Sequence, residues 1–382
     1  MWPHYVILEL SIYKIMTGVR RLGDICKMYQ PKTISTDMLV PDGRYPVFGA
    51  NGIIGRYDQY NHSEPELLMT CRGATCGTIN VSLPFSWING NAMVIHPVND
   101  DVLLDYLKYH LMAIDLSTVI TGAAQPQITR QSLIDVSVIV PPVEDQKRIV
   151  EELNLLTGII EKKEQQIRDF DALEQSLFSE MFGNLITNDK SWPYGTLSDI
   201  CAPKSSIKRA TKCYIASDTI DYIDISSIDN KRMELTETTP FILSEAPSRA
   251  QQVVRKGDVL ISMVRPNLKN IAVVNLESTK LVASTGFCVL RANELSNPSF
   301  IKSLIGSDVF TQYLMDRVTG ANYPAVKEED IKGCKIGIPP VALQDQFSRK
   351  ALEIDRQKKI ITSSNKEIKT LLSGRMHLYF KR

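Results

Sequence analysis

A chain of 382 residues, 43% apolar and 23% charged, is long enough for two or three domains with cores of their own. No run of uncharged apolar residues reaches the ~18 of a membrane span, and Glu9 and Lys14 interrupt the apolar start, which argues against a signal peptide. The net charge of +1 is not that of a lone non-specific nucleic-acid binder, and seven cysteines without metal spacing read as reduced thiols of a cytoplasmic protein.

Residues 1–15 have no counterpart later in the chain, and Met16 stands just before an internal repeat begins, so the native start is expected there. The first region is mixed and strand-like. Asn51-Gly52 signals a tight turn between short β-rich runs, and Glu66–Thr70 reads as a strand. A short helix is expected at Leu103–Ile114 and a strand at Ser137–Val140, closed by Pro141-Pro142. A long helix follows, with a seam stepping three and four residues through Ile149, Leu153, Leu156, Ile160, Ile167, Phe170 and Leu177. Gly183 suits its C-cap, and the polar residues 184–191 read as a linker.

From Trp192 the text starts again. Asp258–Ser262 reads as a strand, a helix is expected near Pro298–Leu314, and the strand Lys335–Ile338 ends at Pro339-Pro340. A second long helix carries Phe347, Ile354, Ile361, Ile368 and Leu372 in the same register as the first. The wording itself repeats. Thr121-Gly122-Ala123 recurs 198 residues on as Thr319-Gly320-Ala321, with Pro126 as Pro324 and Gln146 as Gln344. Further back, Leu22–Cys26 answers Leu197–Cys201 at an offset of 175, so the second copy holds an insertion of 23 residues. Such a duplication describes two similar domains, each closed by one long helix, rather than a solenoid.

Residues 143–190 hold six Lys and Arg against eleven Asp and Glu, whereas 341–382 hold ten against four. Two narrow seams of opposite charge predict one antiparallel pair. At 1.5 Å per residue, helices of roughly 36 to 40 residues would be about 54–60 Å long.

Catalytic motifs do not emerge. Neither a dinucleotide nor a phosphate-binding glycine loop is present, nor the Asn-Pro-Pro-Tyr that an adenine methyltransferase needs. Glu161-Lys162-Lys163 lies on the helix as solvated charge, and the histidines have no nucleophile elbow. No cofactor, metal or catalytic residue is expected.

The wording Pro141-Pro142-Val143-Glu144-Asp145-Gln146-Lys147-Arg148-Ile149, with Tyr45–Ile53 and Thr121–Ile128, resembles the specificity subunits of type I restriction–modification systems. The resemblance spans about residues 17–380 and implies an α+β protein with a pseudo-twofold repeat. Two α/β target recognition domains, 17–141 and 192–340, would be joined through spacer helices 142–183 and 341–380, with 184–191 as linker. Each domain would read half of a split double-stranded DNA sequence. The paired helices would set the spacing and dock two modification subunits, which bring the methyl donor, while a separate restriction subunit cleaves.

Loops with planar or bidentate donors supply the candidate contacts: Arg72 and Thr75 after the first strand, Arg265, Asn267 and Lys269 after the second. Gln125, Gln127 and Arg130, and Asn322, Tyr323 and Lys327, flank the two Thr-Gly-Ala loops. Two other readings stay open: the recognition subunit of a restriction system whose partner fuses methylation and cleavage, and a coiled-coil scaffold that binds no DNA.

Overall fold

The computed structural model describes residues 18–122, 125–320 and 324–380. Its contacts fall into two units. One runs to Glu164 and takes in the residues from Ser363 on; the other is Gln165–Thr362.

In chain order the first unit begins β1 (Gly18–Arg21), α1 (Leu22–Ile25), β2 (Cys26–Tyr29), β3 (Tyr45–Gly49), β4 (Gly52–Tyr57) and β5 (Leu67–Thr70). It continues β6 (Ile79–Val81), β7 (Trp87–Ile88), β8 (Ala92–Pro97), α2 (Leu104–Ala113), α3 (Arg130–Leu133) and β9 (Ser137–Val140), and leads into α4 (Val143–Phe182). β1 pairs antiparallel with β9, so the two ends of the copy are zipped together ahead of the long helix. The antiparallel sheet β2-β8-β5-β6 forms its centre, with β4-β3-β7 as a second sheet. β5 reads as an unbroken apolar run because both its faces are covered. Leu67 and Met69 enter one core and Leu68 the other, all fully buried.

The β3–β4 turn sits one residue earlier than Asn51-Gly52 suggests. Gly49 pairs with Gly52, so Ala50 and Asn51 form the turn, and Gly52 opens β4 at φ 124°. A β-bulge between Val47 and Phe48 accompanies the shift.

The second unit holds β10 (Tyr194–Thr196), β11 (Thr219–Ile223), β12 (Ile228–Asp229), β13 (Glu234–Leu235), β14 (Thr239–Ile242), β15 (Ala250–Val253) and β16 (Val259–Ser262). Then come β17 (Ile271–Val273), β18 (Leu281–Ser284), β19 (Phe287–Leu290), α5 (Pro298–Gly306), α6 (Asp308–Met315), α7 (Glu328–Lys332), β20 (Lys335–Gly337) and α8 (Val341–Phe380). β10 closes on β20 as β1 closes on β9, and β17-β16-β19 repeats β6-β5-β8. The four-stranded β14-β11-β18-β15 stands where copy one has three strands. The helix expected over Pro298–Leu314 is two helices. Ser307 takes an extended conformation, and its hydroxyl caps the second by accepting from the Phe310 N–H.

The repeated glutamines explain how each long helix is held to its domain. Gln146 is fully buried. Its Nε2 donates to the carbonyls of Asp101 and Pro141, at 2.7 and 2.8 Å, and its Oε1 accepts from the Leu103 N–H at 2.9 Å. Gln344 likewise donates to Leu295 and Pro339, at 3.0 and 2.8 Å, but its Oε1 finds no partner among the described residues. Truncation at 146 orphans three backbone groups, one from a buried bond and two from part-buried ones. Gln146→Ala should therefore cost about 2–4 kcal/mol and Gln344→Ala measurably less. Thermal melts of the two variants check the order.

The long helices run antiparallel in each unit. In the first, the start of α4 meets the end of α8: Glu152 pairs with Arg375 and Glu164 with Lys369, both at 2.7 Å. In the second, Lys358 pairs with Asp171 at 2.5 Å, and the Phe178 and Phe182 rings pack on Phe347. Every one of these carboxylates lies on α4 and every cation on α8, as their opposite net charges require. Burial along the seam is uneven. Ile149, Leu153 and Phe347 are fully buried, and Leu156, Ile160 and Ile354 nearly so. Ile167, Phe170, Leu177, Ile361, Ile368 and Leu372 are half-buried. Equivalent aromatics finish each helix. Phe182 packs on Phe300, and Phe380 packs on Tyr106 and His110. Burial pushes the His110 imidazole down to about 4, and its Nε2 accepts from the Ile139 N–H.

Candidate nucleic-acid interface

In each copy the chain leaving the central strand is stitched to the Thr-Gly-Ala loop by the same backbone bonds. In copy one, Ile128 N–H donates to Cys71 O at 2.9 Å and Gly73 N–H to Pro126 O at 3.1 Å, while Thr121 and Gln127 exchange two bonds of 2.8 Å. In copy two, Val326 donates to Met263 at 2.9 Å, Arg265 to Pro324 at 2.7 Å, and Thr319 and Ala325 exchange bonds of 2.9 and 3.0 Å. The loop demands its glycine. Gly122 has φ 86°, and a Cβ there would sit 2.5 Å from the Gln125 carbonyl oxygen. Gly320 has φ 91°.

These bonds define which residues correspond. Arg72 and Val264 bridge Gln127 and Ala325 respectively, so the guanidinium of copy two stands one position later, at Arg265. Gly73 and Arg265 both adopt left-handed backbone, at φ 85° and 50°. A bulky residue held there stores strain of roughly 1–3 kcal/mol, a mark of functional loops. The Thr-Gly-Ala offset equates Arg130 with Glu328, and Lys327 with Thr129. Glu328 is bound by Lys204 and Lys332, at 2.5 and 2.7 Å. The two copies thus present different chemistry on one frame.

In copy one, Arg72, Gln127 and Arg130 come together. With Tyr29, Gln30 and Thr129 they line an open cavity of about 330 Å³. Arg72, Gln125 and Arg130 are exposed and Gln127 is half-buried. Thr75 is exposed, and its hydroxyl accepts from Asn51 Nδ2 at 2.9 Å, which ties this loop to the β3–β4 turn. Tyr29 and Gln30 are additions to the sequence candidates. They lie three and four residues beyond the repeated Leu22–Cys26 wording, which was the available signal. In copy two, Arg265 and Asn267 are exposed on a 3₁₀ turn over Pro266–Leu268. Lys269 instead anchors that turn, donating to the Gly306 carbonyl at 2.9 Å and to Asp308 at 2.6 Å. Lys327 is exposed at the start of α7. Asn322 and Tyr323 lie outside the described residues.

Among the described residues no cluster of three or more His, Cys, Asp or Glu could hold a metal ion, and no helix is long and apolar enough to cross a membrane.

A mixed helix-and-sheet fold with two long helices is found in solved type I restriction–modification S subunits. The chain shares it with the S subunit from M. genitalium, at a TM-score of 0.59 and 13% identity over 96% of both chains. A chain from a structure of complex assembly and conformational transition in the type I system matches at a TM-score of 0.50 and 16% identity, over 95% of this chain and 97% of that one. Residues 16–169 match the family model of the type I restriction modification DNA specificity domain. In sequence, the type I restriction enzyme MjaVIII specificity subunit of Methanocaldococcus jannaschii is 21% identical over 405 aligned positions, 94% of each chain. The EcoprrI specificity subunit of Escherichia coli is 28% identical over 148 residues, 37% of each chain. The chain therefore resembles type I specificity subunits along its length, and these are the non-catalytic members of their systems.

Proposed function

We propose that the chain reads a bipartite double-stranded DNA target, one half through each copy, within a type I restriction–modification complex. The observation that carries this is the shared stitch of central strand to Thr-Gly-Ala loop, with different side chains mounted on it: Arg72, Gln127 and Arg130 in one copy, Arg265 and Asn267 in the other. Two readers of common descent and unlike surface suit two unlike half-sites. Planar guanidinium and amide groups are the donors that discriminate base edges. Residues 17–141 and 192–340 serve as recognition domains, 142–183 and 341–380 as spacer helices, and 184–191 as the linker.

The helices also carry apolar side chains that the pairing leaves outside. Leu173 and Leu371, related by the 198-residue repeat, are each 50% exposed, and Leu155 and Leu352 are 64% and 68% exposed. We take these as docking points for two copies of a modification subunit, with a restriction subunit completing the complex, in the cytoplasm where the DNA is. Single-molecule methylome sequencing of a host with and without this gene tests the reading. A gapped, asymmetric adenine-methylation motif should vanish with the gene; an unchanged methylome would overturn it.

A further inference from the structure

The excess length of copy two is concentrated in one segment. Cys26 answers Cys201 at an offset of 175, but the central strands β5 and β16 correspond at 192, so most of the 23 added residues lie between Cys201 and Val259. Charge in that segment is segregated. Residues 203–217 contain four Lys and Arg and no carboxylate, and 246–257 contain three and none. Seven of the segment's eight carboxylates lie between, from Asp218 to Glu245, and the eighth is Asp258. The corresponding residues 27–66 of copy one interleave four Lys and Arg with five Asp and Glu.

The fold joins the basic stretches side by side. Arg209 bridges to Gln252 along the outer edge of β15, and Val253 N–H donates to the Lys208 carbonyl at 2.9 Å. Thr285 N–H donates to Arg249 O at 2.9 Å and Met263 N–H to Gly286 O at 3.0 Å, which carries the surface on to the Arg265 loop. Arg291, locked to Asp258 by two bonds of 2.7 Å, also donates to the Ser206 carbonyl and so fixes the first stretch in place. Lys208, Arg209, Lys212, Arg249 and Arg265 are all exposed. Ion pairs occupy Lys204, Lys256 and Lys269, but among the described residues Lys208, Lys212 and Arg249 have no carboxylate partner.

We infer that this arc tracks the sugar–phosphate backbone of duplex DNA, so that copy two supplies sequence-independent, salt-sensitive affinity. The inference rests on the DNA-reading function proposed above and adds a phosphate-tracking surface to copy two. Cations placed along a strand edge, without acidic neighbours, displace counterions from the duplex and carry no sequence information.

The test combines Lys208→Gln, Arg209→Gln, Lys212→Gln and Arg249→Gln in the full-length chain, with circular dichroism to verify folding. Binding to a duplex of about 30 bp and arbitrary sequence is followed by fluorescence anisotropy from roughly 50 to 200 mM NaCl. The slope of log affinity against log salt should become shallower by about 3 to 4, at about 0.9 per lost phosphate contact. The loss should be equal on unrelated sequences, and the pair Lys231→Gln and Arg232→Gln should leave the slope as it was. An unchanged slope, or a loss confined to one sequence, would overturn the arc. A shallower slope in a chain whose removal leaves host methylation untouched would support the arc while sinking the specificity reading.

Discussion

Exchanging residues 192–338 for the second recognition region of another type I specificity subunit should change one half of the methylated target and leave the other intact. The reason is the closure of each copy on itself: β10 zips to β20 as β1 zips to β9, so a swap cut at these strands carries a whole domain with its own reading loops. The helices should be separately adjustable. Seven residues inserted in each, after Glu164 in α4 and after Thr362 in α8, preserve the 3.5-residue seam. They add about 10 Å of helix, or about 3 bp of gap at 3.4 Å per step. Methylome sequencing reads both outcomes. Two altered halves after a single swap, or a continuous target, would contradict the two-reader arrangement.

Asp258→Ala should be the most damaging single substitution in copy two. Asp258 is 1% exposed and accepts both bonds from the Arg291 guanidinium, whose side chain is only 11% exposed. Removing the carboxylate leaves a buried cation with no counter-charge, at a cost of about 3–5 kcal/mol. At about 2–4 °C per kcal/mol for a body of this size, the melting transition should fall on the order of 10 °C. The double variant Asp258→Leu with Arg291→Met should recover much of that loss, since a dry apolar pair leaves nothing unpaired. A small shift in the single variant, measured by calorimetry, would show the pair to be hydrated and unimportant.

Long-range periodicity made the helices legible. Forty residues with one seam and a Pro-Pro start leave little freedom, and opposite charge identified the partner. The repeated glutamine stood out as wording, but its three hydrogen bonds could be known only once Asp101 and Leu103 were seen beside it. The contact loops were harder. Lys269 has the composition of an interface residue, yet Asp308 and the Gly306 carbonyl hold it. Arg130 and Lys327 look like counterparts, whereas the 198-residue offset equates Arg130 with Glu328. The basic arc was hidden altogether, because Lys208, Arg249 and Arg265 are brought together by strand pairing and not by spacing along the chain. Helix breaks depend on single residues in the same way: an apolar run across Ser307 conceals the cap that divides α5 from α6.

The first unit draws on residues from Ser363 onward, and Phe380, 3% exposed, plugs the space beside Tyr106 and His110. A ribosome makes those residues some 200 positions after it has finished the rest of that unit. At about 5–20 residues per second, the first-made half therefore waits tens of seconds with an apolar gap at the foot of α4. Over that interval the nascent protein is a natural client for chaperones. Premature termination anywhere in α8 would injure the unit whose other residues are translated first.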